Sequence, residues 1–241
     1  MYTNYIIDMK DNKLPLKNKN HVIYSKKCKK LIKKYISEHY KKEEVEHVWD
    51  NVQLRYCDYL NRFSKDLGGK KNFHNGRGGT YDCFLILSYY SICKDIVTFK
   101  EIEKIEEELI LPSFRKIRFV NANKRFFFKL LYKSCVLSKS KADKFNDYKM
   151  IIYPYEENKP IKYEFRSCPV MEFAKEFGLE EIMPALCNID YKAMECIHAK
   201  LVRKGTLLDS NCCDYAICPD KDEYLNSHPE YIDEKGQIRN K

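Results

Sequence analysis

Six of the chain's 11 cysteines fall between Cys168 and Cys218, interleaved with Asp190, His198, Thr206 and Asp214. A cysteine attacks as its thiolate, which forms most readily at a helix N-terminus or beside a cation. Cys168 directly precedes Pro169, a residue suited to the first position of a helix, where unpaired amides and the positive dipole end favour a thiolate. Cys213 and Asp214 open a later strand and could meet Cys168 across the fold. Arg203 and Lys204, on the partner strand, suit a carboxylate, with Arg the better bidentate donor. His198 offers an acid or a base, although a lone histidine is more often structural.

Other chemistries fit these residues less well. Cys and His are the preferred ligands of zinc, yet there is no Cys-x-x-Cys pair, and Cys212 and Cys213 would point to opposite faces of a strand. The glycine-rich stretch Leu67 to Gly79, which includes His74, resembles a phosphate cradle feeding a helix. It lacks Gly-Lys-Ser/Thr and any preceding strand, so a mobile loop over a site is the better reading. We expect no metal and no cofactor. Several of the cysteines must simply be small apolar core residues.

Composition sets the frame. Apolar residues make up 44% and charged residues 33% of 241, a globular balance with enough chain for one large domain. The start of the chain lacks the order of a signal peptide and no run is long enough to span a membrane, so a cytoplasmic protein with reduced thiols is expected. The net charge of +9 is uneven: residues 160–241 carry 11 basic and 15 acidic side chains, leaving +13 before them. Much of that excess lies on one amphipathic helix, including Lys26, Lys27, Lys29, Lys30, Lys33 and Lys34, where a solvated face explains it. The expected partner is a small molecule, with neither nucleic acid nor membrane.

Apolar spacing predicts helices over 21–40, 45–63, 81–93, 98 onward and 123–138. The first two form an antiparallel hairpin. Thr98 to Glu101 reads as a capping box, and Pro112 ends or interrupts the helix it opens. Strands follow at 150–153 and 161–165, then a short helix from Pro169 closed by Gly178, a second over 180–186, and a third N-capped by Asp190. Segments 199–203 and 213–217 read as a β-hairpin, and the polar tail after Pro219 wraps the surface or frays. The fold class is α+β, read as one integrated domain: a helical N-terminal layer (1–147) packed on a small antiparallel sheet with short helices in a Cys-rich segment that carries the site (148–218), followed by a polar tail (219–241).

Four segments in series carry a family resemblance: Cys168 to Gly178, Pro184 to Tyr191, Lys200 to Thr206 and Cys212 to Tyr215. Together they resemble the L-2-amino-thiazoline-4-carboxylic acid hydrolase family, which shows Cys-Pro before a short helix, then Cys-x-x-Asp-Tyr, Leu-[Val/Ile]-Arg-x-x-Thr and a closing Cys-Asp-Phe. Tyr215 stands where Phe is usual, a conservative change on its face, and the turn at Asp209 lacks its usual glycine. The resemblance implies hydrolytic opening of a cyclic amidine. It implies Cys168 or Cys213 as nucleophile, Asp190 and Asp214 orienting groups or moving protons, Arg203 on the substrate carboxylate, and Thr206, Cys187 and Tyr191 lining the site. The alternative is a small-molecule-binding module of similar fold without catalysis.

Overall fold

Ser25 starts the first helix: its hydroxyl accepts the Cys28 amide at 3.0 Å, and α1 runs Lys26–His39. The computed structural model describes residues 24–69, 79–144 and 148–241; most of the glycine-rich stretch, His74 included, lies outside them. The second helix, α2, spans Val45–Arg62. Lys33 pairs with Glu46 at 2.6 Å, and Gln53 donates to the Tyr24 hydroxyl at 2.6 Å. Contacts that move backward along one helix as they move forward along the other make the pair antiparallel, as expected.

The third helix, α3 (Gly79–Cys93), is buried nearly all round, as its unbroken apolar run requires. Thr98 caps α4 (Phe99–Arg115) by accepting the Glu101 amide at 3.3 Å. Only half of the expected box forms, because the Glu101 carboxylate accepts instead from Tyr89, at 2.7 Å, and contacts His39. Pro112 does not end α4, which continues for another three residues. The fifth helix, α5 (Arg125–Ala142), buries Phe128 alone.

The sheet has the order β1-β2-β4-β3, with every pair antiparallel. Its strands are β1 (Lys149–Ile152), β2 (Ile161–Ser167), β3 (Ala199–Val202) and β4 (Cys213–Pro219). Between β2 and β3 come α6 (Pro169–Phe177), a 3-10 turn (Glu180–Ile182), α7 (Met183–Cys187) and α8 (Ile189–Glu195). Gly178 closes α6 at φ 66°, in the left-handed region where glycine is favoured. Asp190 sits in the first turn of α8 and not at its cap, a position held by Asn188. The fold is α+β.

Phe173 ties α6 to the helical layer. It is fully buried, stacks on Phe84 at 4.1 Å, and meets Phe63 and Tyr59 edge-on at 5.3 and 5.6 Å. Burying one such ring stabilises the fold by about 2–3 kcal/mol, and aromatic pairs add about 0.5–1.5 each. This anchor fixes where Cys168 stands.

The tail does not fray. A 3-10 turn (Glu223–Ser227) leads to β5 (Glu230–Ile232), which pairs antiparallel with β6 (Ile238–Asn240). Gln237, Arg239 and Asn240 are all buried. Among the described residues, no helix is long and apolar enough to cross a membrane.

Candidate functional site

Strand alternation selects the side chains that face the helices. Along β4, Cys213, Tyr215 and Ile217 pack with Ile161, Tyr163 and Phe165 of β2 and Ala199 and Leu201 of β3. The other face of β4 carries Asp214, Ala216 and Cys218, of which the last two pack with Val202 under Tyr224 and Leu225. Tyr163 and Tyr215 are cross-strand partners whose rings stack at 4.8 Å.

Arg203, just past β3, is completely buried. Its Nη1 donates to the Cys187 carbonyl and the Tyr215 hydroxyl, both at 3.3 Å, and Nη2 donates to the Ile238 carbonyl at 3.3 Å. The guanidinium lies 5.2 Å from the Tyr191 ring and 5.5 Å from the Tyr215 ring. Its Nε is buried without a partner. Asp190 Oδ2 stands 3.8 Å from Nη1 and accepts the Tyr215 hydroxyl at 2.9 Å. Arg203, Tyr215 and Asp190 thus form a relay running from the interior outward.

Asp190 keeps 45% of its side-chain surface accessible, yet burial raises its carboxyl above the usual range against the opposing pull of Arg203 and Tyr215. The accessible surface fixes the geometry, and the raised carboxyl reflects protein packed densely around it. Asp190 is thus part-exposed at the surface, with densely packed protein behind it. Cys168 and Cys187, both part-buried, and Cys213, almost fully buried, lie close enough to perturb one another, and Cys187 and Cys213 are within electrostatic reach of Asp190.

Cys168 occupies the N-cap of α6, and the amides of Met171 and Val170 favour its thiolate. Burial outweighs them and pushes the thiol up to about 12. The helix terminus that reads as activating in the sequence therefore loses to desolvation in the fold. Cys187 and Cys213 are raised by burial as well, and the Cys213 sulfur accepts the Leu207 amide at 3.3 Å.

The remaining expected site residues hold the frame. Asp214 accepts the amides of Lys204, at 3.0 Å, and Gly205, at 2.6 Å, so its carboxylate ties the β3–β4 connection on the face away from Cys213. Thr206 is fully buried; its hydroxyl accepts the Leu208 amide at 3.3 Å and its carbonyl takes those of Asp209 and Ser210. Tyr191 is buried, with its hydroxyl donating to Asn240 Oδ1 at 2.9 Å. His198 is a turn residue at φ 56° facing Asp220 at 3.3 Å. Among the described residues, no group of three or more His, Cys, Asp or Glu side chains is placed to hold a metal ion.

Three contributors escape sequence reasoning. Glu106 on α4 is buried, accepts the Cys83 thiol at 3.6 Å, and is pushed up to about 8 by burial, with Asp82 and Asp190 adding to the rise. Cys83 in turn lies within electrostatic reach of Cys168. Asn240, at the end of β6, supports the site by accepting both the Tyr191 hydroxyl and the Arg203 amide, the latter at 3.0 Å. The signal for Glu106 was its place on the apolar stripe of Ile102, Ile105 and Leu109; Asn240, in a polar tail, gave none. A hollow lined by Leu60, Phe63, Lys65, Leu67, Tyr81 and Phe84 brings only Lys65 as a polar side chain besides the Tyr81 hydroxyl, and it is too narrow for a ligand.

Residues 100–217 match the family model described as L-2-amino-thiazoline-4-carboxylic acid hydrolase. The match bears out the resemblance and extends it upstream to α4 and α5. No curated protein matches the chain, and no solved structure does.

Proposed function

We propose that this chain, whose segment 100–217 belongs to the L-2-amino-thiazoline-4-carboxylic acid hydrolase family, opens a cyclic amidine by hydrolysis. The reaction converts 2-amino-thiazoline-4-carboxylate and one water into N-carbamoyl-cysteine. The amidine carbon C2 gains oxygen, the ring C2–S bond breaks, and the released sulfur takes a proton.

The support is the convergence of Cys168, Cys187, Cys213 and Asp190 within electrostatic reach of one another, with Tyr215 and Arg203 behind the carboxylate. An amidinium presents paired N–H donors, and a carboxylate is their natural acceptor. Asp190, held at one oxygen by Tyr215, has a second oxygen for this contact. Cys168 is the more accessible of the two candidate nucleophiles, with Cys213 beside it. Burial keeps these thiols protonated, so attack on C2 requires the proton to leave as the C–S bond forms. Asp190 accepts that proton and returns it to the departing ring sulfur. Water then cleaves the resulting isothiourea, freeing the enzyme thiol and the urea product. Arg203 acts through Asp190 and Tyr215, since both of its terminal nitrogens already donate to protein acceptors.

Product formation from the thiazoline, followed chromatographically, tests the reading. Wild-type turnover that falls at least about a hundredfold in Cys168→Ser or Cys213→Ser supports it. Full turnover in both variants removes the thiol mechanism. A second reading, a binding module, is favoured by the upward shift of all three thiols; it predicts thermal stabilisation by the thiazoline with no product.

A further inference from the structure

The helix least committed to the core lies in a strongly basic stretch of the chain. Residues 115–144 carry ten Lys and Arg side chains against Asp143 alone, a net +9 equal to that of the whole protein. Within this stretch α5 buries only Phe128. Its solvent side is not polar: Phe126 is 74% exposed, Leu130 48% and Leu137 63%. Their spacing of four and seven residues places the three on one line along the helix, with Lys133 on the same line. Lys129 flanks it on one side and Lys141 on the other, both exposed, while Arg125 beside Lys129 is paired with Glu157. Phe119, 70% exposed, and Ile117, 40% exposed, stand in the turn that leads into the helix.

We propose that α5 and the turn before it dock this protein onto an anionic lipid surface, with Phe126, Leu130 and Leu137 entering the headgroup–acyl boundary and the flanking cations meeting lipid phosphates. A helix with an apolar line bordered by Lys and Arg has the pattern of one that lies in a membrane interface. Charge selects this occupant over the others. A second copy would set nine net positive charges against nine more. Nucleic acid would satisfy the cations but would leave Leu130, Leu137 and Val136 with no apolar surface to cover. The expectation of no membrane contact came from the lack of a spanning segment, which a helix lying flat does not need.

Sedimentation of the full chain with vesicles tests the proposal, using phosphatidylcholine alone and phosphatidylcholine mixed with an equal amount of phosphatidylserine. Binding to the mixed vesicles, weakened by added salt, is expected, with little binding to the neutral ones. Because each cation near such a surface is worth about fivefold in partitioning, Lys129→Glu/Lys133→Glu/Lys141→Glu should reduce binding by at least about a hundredfold. Phe126→Ser/Leu130→Ser/Leu137→Ser should abolish it while leaving the circular dichroism and melting temperature unchanged, since these side chains support no core. The proposal is overturned if the mixed vesicles bring down no protein, or if the apolar triple variant binds as well as wild type. It is equally overturned if that variant dissociates a dimer formed without lipid, or if mixed-sequence RNA displaces the protein from the vesicles while leaving the apolar triple variant's RNA affinity intact.

Discussion

The Tyr215 hydroxyl donates to Asp190 Oδ2 at 2.9 Å while accepting Arg203 Nη1 at 3.3 Å, so it bridges a buried cation and an accessible carboxylate 3.8 Å apart. A phenylalanine at this position keeps the ring stack on Tyr163 and loses both hydrogen bonds. The substitution that reads as conservative in the sequence thus alters the polar wiring of the site.

Tyr215→Phe should therefore fold normally but work differently. The hydroxyl lowers the Asp190 carboxyl against the rise caused by burial, so its removal should move the acidic limb of the pH–rate profile upward. Loss of a hydrogen bond to a charged group should also lower stability by about 1–3 kcal/mol. A pH–rate profile on the thiazoline, superimposable for the two proteins, would show that Asp190 does not carry the rate-limiting proton.

Asn240 joins the C-terminal strand to the site through two buried hydrogen bonds, one from the Tyr191 hydroxyl and one from the Arg203 amide. Asn240→Ala leaves both donors buried and unpaired, each at about 1–3 kcal/mol. Urea unfolding should show a loss of at least about 2 kcal/mol. An unchanged midpoint would mean that β6 is not held to the body in solution.

The helical layer was legible because its apolar residues recur at helical spacing, as Leu31, Ile32, Tyr35 and Ile36 do in α1. The β3–β4 hairpin and the Pro169-to-Gly178 helix were legible from strand alternation and from proline and glycine punctuation. Pro112 misleads because proline forbids a single amide bond, and packing of Ile105, Leu109 and Leu111 keeps α4 helical past it. The roles of Asp214 and Thr206 were not readable from the motif: residue type places them near the site, but the fold turns their oxygens to backbone amides. The state of Cys168 was hidden for a related reason. Its helix terminus is local and visible in sequence, while the burial that overrides it comes from residues far away in the chain.

That override has a chemical consequence. With its thiol pushed up to about 12, Cys168 should react with iodoacetamide roughly a thousandfold more slowly at neutral pH than a free cysteine thiol of pKa about 8.5. Peptide mapping by mass spectrometry after timed alkylation gives the order of reactivity. If Cys168 labels first among the 11 cysteines, the helix terminus dominates after all and the resting thiolate is real.

Glu106 makes the fold's stability depend on pH in a direction that can be worked out. Its carboxyl is pushed up to about 8 by burial, whereas an unfolded glutamate titrates near about 4.3. Below the unfolded value both states hold the proton, and the group takes nothing from stability. As pH rises from there toward 8, the unfolded chain ionises while the native chain stays protonated, so this group lowers stability by up to about 1.4 kcal/mol per pH unit. Above 8 both forms are ionised and the slope from this group vanishes. Glu106→Gln keeps the shape and an oxygen to accept the Cys83 thiol, and it has no proton to lose. The variant should match wild type below about pH 4 and exceed it by several kcal/mol at about pH 8 in urea unfolding. Parallel stability curves across that range would show that Glu106 is ionised in the native protein and that burial does not hold its proton.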